Sequence, residues 1–271
     1  MTAKNFTIIV GTVGQGIIRS EDAGENWQRA GINSGLHSDA LVRTVVNHPQ
    51  NPQKVFAGTE KGLYKSSNAG KDWELVDSIL TNNCVWSLAI DKSDPGTMYA
   101  GTGTPDPSSI FRSSDGGKTW EERPVEVAKE CPAVGVPRVT GIAIDPDNRQ
   151  DIWVGFEVDG VRRSTDGGDT WEKVATSIPN LDVHNVAVSS GPPKTVVVVV
   201  NNDVYTSEDG GQEWNAVGIK NVFPMTYPRG ILVKPDDPKT IFLTIGDTTP
   251  GSTGAIMRST DTGKTWSSLP L

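Results

Sequence analysis

The chain has 271 residues, with 25 Lys and Arg against 33 Asp and Glu, a net charge of −8 and a pI near 5.0. That balance argues against a nucleic-acid partner, which needs a basic face, and no apolar stretch approaches membrane-spanning length. With 29 Gly and 18 Pro the chain is too rich in breakers for a helical bundle, and two Cys are too few for a disulfide scaffold.

Residues 1–5 run straight into the apolar segment 6–10. They lack the long apolar region and cleavage site of a signal peptide, so a cytoplasmic location is expected, or a secreted one if a leader has been removed. Asn5 and Thr7 form a glycosylation triplet of the kind that chance produces often. From residue 20 onward one segment recurs six times, at 20–27, 66–73, 113–120, 164–171, 207–214 and 259–266. Each copy starts with Ser and ends with Trp. The third position is Asp22, Asn68, Asp115, Asp166, Asp209 or Asp261, and Gly stands at the fifth, from Gly24 to Gly263. The mean period is about 48 residues.

Between boxes the order repeats as well. An alternating strand closed by a turn (139–146) leads to an apolar strand (54–58, 97–101). A short strand follows, ending in Arg or Lys (62–65, 256–258), then the box, whose Trp opens a last strand. Four short strands per repeat is the blade of a β-propeller. Seven blades would need about 335 residues at this period, so an all-β, six-bladed propeller with four-stranded antiparallel blades is expected, as a single domain over 1–271. The first blade lacks residues for an innermost strand and is expected to have three, unless a closing strand follows the C-terminus. In the boxes, Ser and Asp side chains bond local backbone and fix the turn, Gly takes a positive φ, and Trp packs between neighbouring units.

The box resembles the Asp-box, or bacterial neuraminidase repeat, over nearly the whole chain. Departures are Asn68 at the Asp position and Asn26, Asp72 and Glu213 at the Thr position. The resemblance implies a propeller like those of sialidases, xyloglucan-type glycosidases, sortilin ectodomains and the photosystem II assembly factor. It also implies that the boxes are scaffold, on the face away from the ligand.

The site is then expected at the other face, where innermost strands begin. Aligned on their apolar residues Val42, Val85, Val139, Val183 and Pro228, these strands give two columns. One reads Arg43, Trp86, Thr140, His184, Arg229; the other reads Leu41, Cys84, Arg138, Asp182, Tyr227. Alternation turns both toward the channel, and the loops after the second strands add Glu60, Glu157, Asp159 and Asp247. Arg43, Arg138 and Arg229 fall in alternate repeats and are expected, with Trp86, to bind substrate. Glu157, Asp182, His184 and Tyr227 are the candidate catalytic set. Sialidases hold a carboxylate with three Arg and use a Tyr–Glu pair. Those residue types are present here, but the Arg-Ile-Pro signature is not.

The expected function is a hydrolase or lyase acting on a small anionic or sugar-like compound; the alternative is a non-catalytic protein- or peptide-binding scaffold. No cofactor is expected. No metal is expected either, because His37, Cys84, Cys131 and His184 include no closely spaced ligand pair. Both thiols are expected free, with Cys84 and Cys131 on the same side. His48 reads as a turn residue, Trp153 as blade packing, and the long entry loop 121–137 as a lid or specificity element.

Overall fold

The computed structural model describes residues 6–132 and 134–270; residues 1–5, where the missing innermost strand and Asn5 were at issue, lie outside the described residues. The chain divides into two compact units, Met1–Arg123 and Pro124–Leu271. Each holds three antiparallel sheets, and the six sheets are the blades of a six-bladed β-propeller.

In the first unit, the first blade has three strands: β1 (Ile8–Gly11), β2 (Ile17–Ser20) and β3 (Gln28–Arg29). The second has four: β4 (Val42–His48), β5 (Asn51–Thr59), β6 (Gly62–Ser66) and β7 (Glu74–Leu75). The third comprises β8 (Val85–Ile90), β9 (Met98–Thr102), β10 (Ile110–Ser113) and β11 (Glu121–Arg123). In the second unit, the fourth blade is β12 (Val139–Ile144), β13 (Ile152–Phe156), β14 (Gly160–Ser164) and β15 (Glu172–Val174). The fifth is β16 (Val183–Ser189), β17 (Thr195–Val200), β18 (Asp203–Ser207) and β19 (Asn215–Ala216). A one-turn helix, α1 (Ile219–Val222), leads to the sixth blade: β20 (Tyr227–Val233), β21 (Ile241–Gly246), β22 (Gly254–Ser259) and β23 (Ser267–Ser268).

Each box is the turn between the third and fourth strands. In the third blade Ser113 Oγ donates to Asp115 Oδ1 at 2.9 Å and accepts from Gly117 N at 2.9 Å. Asp115 Oδ1 also accepts from Thr119 N, and Trp120 Nε1 donates to Gly117 O at 3.1 Å. These local bonds occupy groups that no sheet partner reaches. They hold the Asp115 and Asp166 carboxyls well below the usual range, and Asp22 down to about 2, mainly through the amide and side chain of Asn26. The Asn68 departure is a swap. Asn26 Nδ2 donates to Asp22 Oδ2 in the first box, whereas Asn68 Nδ2 donates to Asp72 Oδ2 in the second. One amide and one carboxylate serve either way round.

Within each unit the box Trp packs on the blade before it. Trp73 joins Ile17 and Val55, and Trp120 joins Phe56 and Met98. Trp214 meets Trp153 edge-on at 6.3 Å, which confirms Trp153 as packing. The box Trp residues are not buried alike: Trp73 and Trp120 are buried, Trp171, Trp214 and Trp266 half-buried, and Trp27 is 46% exposed.

Close packing of successive blades depends on glycine in the second strand. A Cβ on Gly155 of β13 would lie 2.5 Å from Val183 Cγ1 of the next blade, and one on Gly58 of β5 would lie 2.7 Å from Val85 O. Any side chain there would push the innermost strands apart.

Candidate functional site

The apolar column of the innermost strands is buried, as alternation predicts, at Val42, Val85, Val139, Val183 and Pro228. The residue after each one is unusual. The ladder between first and second strands slips between Val42 and Thr44, Val85 and Ser87, Val139 and Gly141, and Val183 and Asn185. A fifth slip falls between Pro228 and Ile231. Arg43, Trp86, Thr140, His184 and Arg229 are therefore bulge residues, one in each of the second to sixth blades. A bulge frees a residue from the ladder and re-aims its side chain.

In the first unit, the guanidinium of Arg43 lies over the Trp86 ring at 4.1 Å, and Trp86 Nε1 donates to Thr104 O at 3.1 Å. Glu60 and Asp106 cap the strand starts, accepting from Leu41 N at 2.8 Å and Cys84 N at 2.6 Å. Burial raises the Cys84 thiol above its usual range, against the opposing charge and hydrogen bond of Arg43.

In the second unit, six predicted residues come together. Arg138 Nη1 meets Glu157 Oε2 at 2.6 Å, with the Glu157 side chain only 8% exposed. Burial pushes the Glu157 carboxyl up; Arg138 opposes this, Asp182 adds to it and Arg229 opposes it. His184 is buried, and its Nδ1 is 2.6 Å from Pro228 O, so Nδ1 carries the proton and donates. Burial holds His184 below its usual 6.5, with the Arg229 charge acting the same way, against the pull of the Pro228 carbonyl and Asp182. His184 Nε2 is then an acceptor, 3.7 Å from Asp182 Oδ1. Asp182 Oδ1 is buried with no hydrogen-bond partner among the described residues. Tyr227 packs edge-on to His184 at 5.0 Å, and Arg229 Nη1 donates to the Tyr227 hydroxyl at 3.3 Å.

Two expected members do other work. Asp159 is buried and bound to Arg162 at 2.8 Å and Lys173 at 3.2 Å. Asp247 accepts from Thr248 N, Ser252 N and Ser252 Oγ within its own exposed loop. The long entry loop is tied down at residues 126 and 128. Arg162 donates to Glu126 O at 3.0 Å, and Ala128 N donates to Asp159 at 3.1 Å. Both cysteines are free, and His48 accepts from Gln50 N in its turn. Asn201, which no motif marked, donates to Asp182 Oδ2 at 2.9 Å. Its signal was its place directly after a second strand, near where Glu60 and Glu157 stand in their blades.

Repeat, turn chemistry and blade order define an Asp-box β-propeller, and the chain is one. The BNR-Asp box repeat family matches residues 110–123, and the sortilin (neurotensin receptor 3) family matches residues 159–270. The xyloglucanase of Hypocrea jecorina is 26% identical, with 94% of this chain aligned to 35% of that protein. A Paenibacillus xyloglucanase is 29% identical over 85% of this chain and 21% of its own length. The chain thus spans about a third or less of the curated xyloglucanases it matches. Among solved structures, an ancestral GH74 enzyme superposes with a TM-score of 0.72 at 19% identity, over 93% of this chain and 34% of that one. YCF48 bound to D1 peptide gives 0.64 at 15% identity, over 98% and 77%. Both show the shared propeller fold.

Proposed function

We propose that the chain is a propeller hydrolase module that binds a polysaccharide through the bulge residues and their neighbours in the second unit. The observation that carries this is the facing pair of acceptors, Asp182 Oδ1 and His184 Nε2, 3.7 Å apart. Two buried acceptors side by side call for a donor from outside, and a sugar hydroxyl supplies one. Of the small anionic or sugar-like compound expected from the sequence, similarity to xyloglucanases over most of the chain supports the sugar side, as a neutral polysaccharide. Glu157, with its proton affinity raised by burial, suits a general acid, and Asp182 suits the partnering carboxylate. Arg138, Arg229 and Tyr227 position these groups, while Arg43 and Trp86 offer a flat cationic and aromatic surface in the first unit.

The test is release of reducing ends from xyloglucan oligosaccharides, with binding measured in parallel. Asp182→Asn is expected to abolish turnover, and Glu157→Gln to lower it with binding retained. Full turnover in Asp182→Asn would overturn the assignment. One observation favours the scaffold alternative: Glu157 already has a cation in contact, Arg138, which suits structure as well as chemistry. Under that reading the wild type binds its ligand and releases no reducing ends.

A further inference from the structure

The boxes differ at their second position, and the difference leaves one groove with surplus positive charge. In the first box this residue is Glu21, which takes Arg19 Nη1 at 2.6 Å and Lys71 Nζ of the next box at 3.0 Å. In the fifth box Glu208 takes Lys264 Nζ of the next at 2.9 Å. The second box has Ser67 there, and the next lysine, Lys118, pairs with no carboxylate among the described residues.

A groove of about 500 Å³ runs between the second and third blades, lined by Lys54, Lys65, Ser67, Leu75, Gly116 and Lys118. Lys54 Nζ stands 5.0 Å over the Phe56 ring and 3.8 Å from where a Cβ on Gly116 would be. Lys65 is matched by Glu74 at 2.6 Å. Lys54 has no ion-pair partner among the described residues, and Asp77, also on the groove, pairs with neither free lysine. Burial lowers the Lys54 ammonium below its usual range, and the charges of Lys65 and Lys118 push the same way. The Lys54 charge in turn adds to burial in lowering His48. With Glu74 and Asp77 also on its lining, the groove carries three ammonium groups against two carboxylates, a positive patch in a protein of net charge −8.

We infer that this groove binds an acidic peptide segment of a partner protein, with carboxylates on Lys54 and Lys118 and apolar atoms on Leu75. A single small ion would occupy a fraction of the volume, whereas Leu75, 40% exposed at the groove, gives a chain an apolar contact. The groove is independent of the proposed glycan site.

The experiment is fluorescence anisotropy with a labelled hexaglutamate peptide at low and at physiological ionic strength, on the full chain. Lys54→Gln, Lys118→Gln and Ser67→Glu are each expected to weaken binding about five-fold or more. Ser67→Glu supplies the carboxylate found in the first and fifth boxes, so its melting temperature is expected to hold or rise. Lys71→Gln, which removes the equivalent but already paired lysine, is the control and is expected to leave binding unchanged. Equal losses in Lys71→Gln and Lys118→Gln would overturn the proposal. So would unaltered binding in Ser67→Glu, no binding by the wild type, or capture of oligogalacturonate in preference to the peptide.

Discussion

Arg138 and Glu157 are joined twice: Glu157 N donates to Arg138 O at 2.9 Å, and the side chains meet at 2.6 Å. The backbone bond extends the β12–β13 ladder beyond the bulge, and the ion pair closes above it. Arg138→Ala therefore leaves a buried carboxylate without its cation. A loss of about 3 kcal/mol at neutral pH is expected in urea unfolding. The sign with pH is fixed by the raised carboxyl of Glu157. A group raised on folding contributes stability below its unfolded value of 4.5 and loses it as pH rises through the folded value. The Arg138→Ala defect is therefore expected to shrink as pH falls toward 4.5. A defect independent of pH would show that Glu157 is not its origin.

The box carboxyls have the opposite sign. Asp115, Asp166 and Asp22 are depressed by their turn bonds. Their contribution is complete above 3.8 and is lost as pH falls below it. Asp115→Asn is expected to keep the fold, since Asn68 fills the same place in the second box, and to reduce the steepness of acid unfolding. An acid transition unchanged in Asp115→Asn would remove the boxes as its cause.

Trp120 is 7% exposed among Phe56, Met98 and Leu88, whereas Trp27 is 46% exposed in the same sequence role. Trp120→Ala is expected to cost about 3–5 kcal/mol, and Trp27→Ala less than about 1 kcal/mol. Neither is expected to change ligand affinity in the folded fraction. Equal costs would show that the box Trp acts through its own turn rather than through the blade before it.

Much of this was legible because it repeats. Six Ser-to-Trp boxes at one period specified blade, strand order and turn, and alternation separated Val183 from His184. The bulges were not legible, since one extra residue per innermost strand leaves the apolar and polar columns unchanged. Nor was the fate of Asp159. It lies in the same loop as Glu157, but Arg162, three residues on, folds back to capture it and ties down the long entry loop as well. Shared sequence position gave the right neighbourhood; local hydrogen bonding then decided which carboxylates remained available.

His184 offers a direct probe of the acceptor pair. Depressed below 6.5, it contributes stability above that value and loses it as pH falls through its folded value. In NMR titration its ring resonances are expected to move with a midpoint below 6.5, with Asp182→Asn lowering the midpoint further because a favourable negative charge is gone. His184→Phe removes the donor to Pro228 O and is expected to cost about 1–3 kcal/mol. An unperturbed midpoint near 6.5 would refute the buried neutral tautomer, and with it the acceptor at Nε2.

The pair of Arg43 and Trp86 is the last case, because stacking and charge are separable there. Arg43→Lys keeps the charge but loses the flat guanidinium 4.1 Å over the indole. A double-mutant cycle of Arg43→Lys with Trp86→Leu is expected to show coupling of about 0.5–1 kcal/mol. Burial raises the Cys84 thiol and Arg43 opposes this, so Arg43→Ala is also expected to slow alkylation of Cys84 at fixed pH. If this surface takes part in glycan binding, Trp86→Leu weakens xyloglucan oligosaccharide binding more than Arg43→Lys does, since the ring supplies the apolar face. Unchanged binding in both variants, with the coupling intact, would confine the pair to holding the bulges of β4 and β8 together.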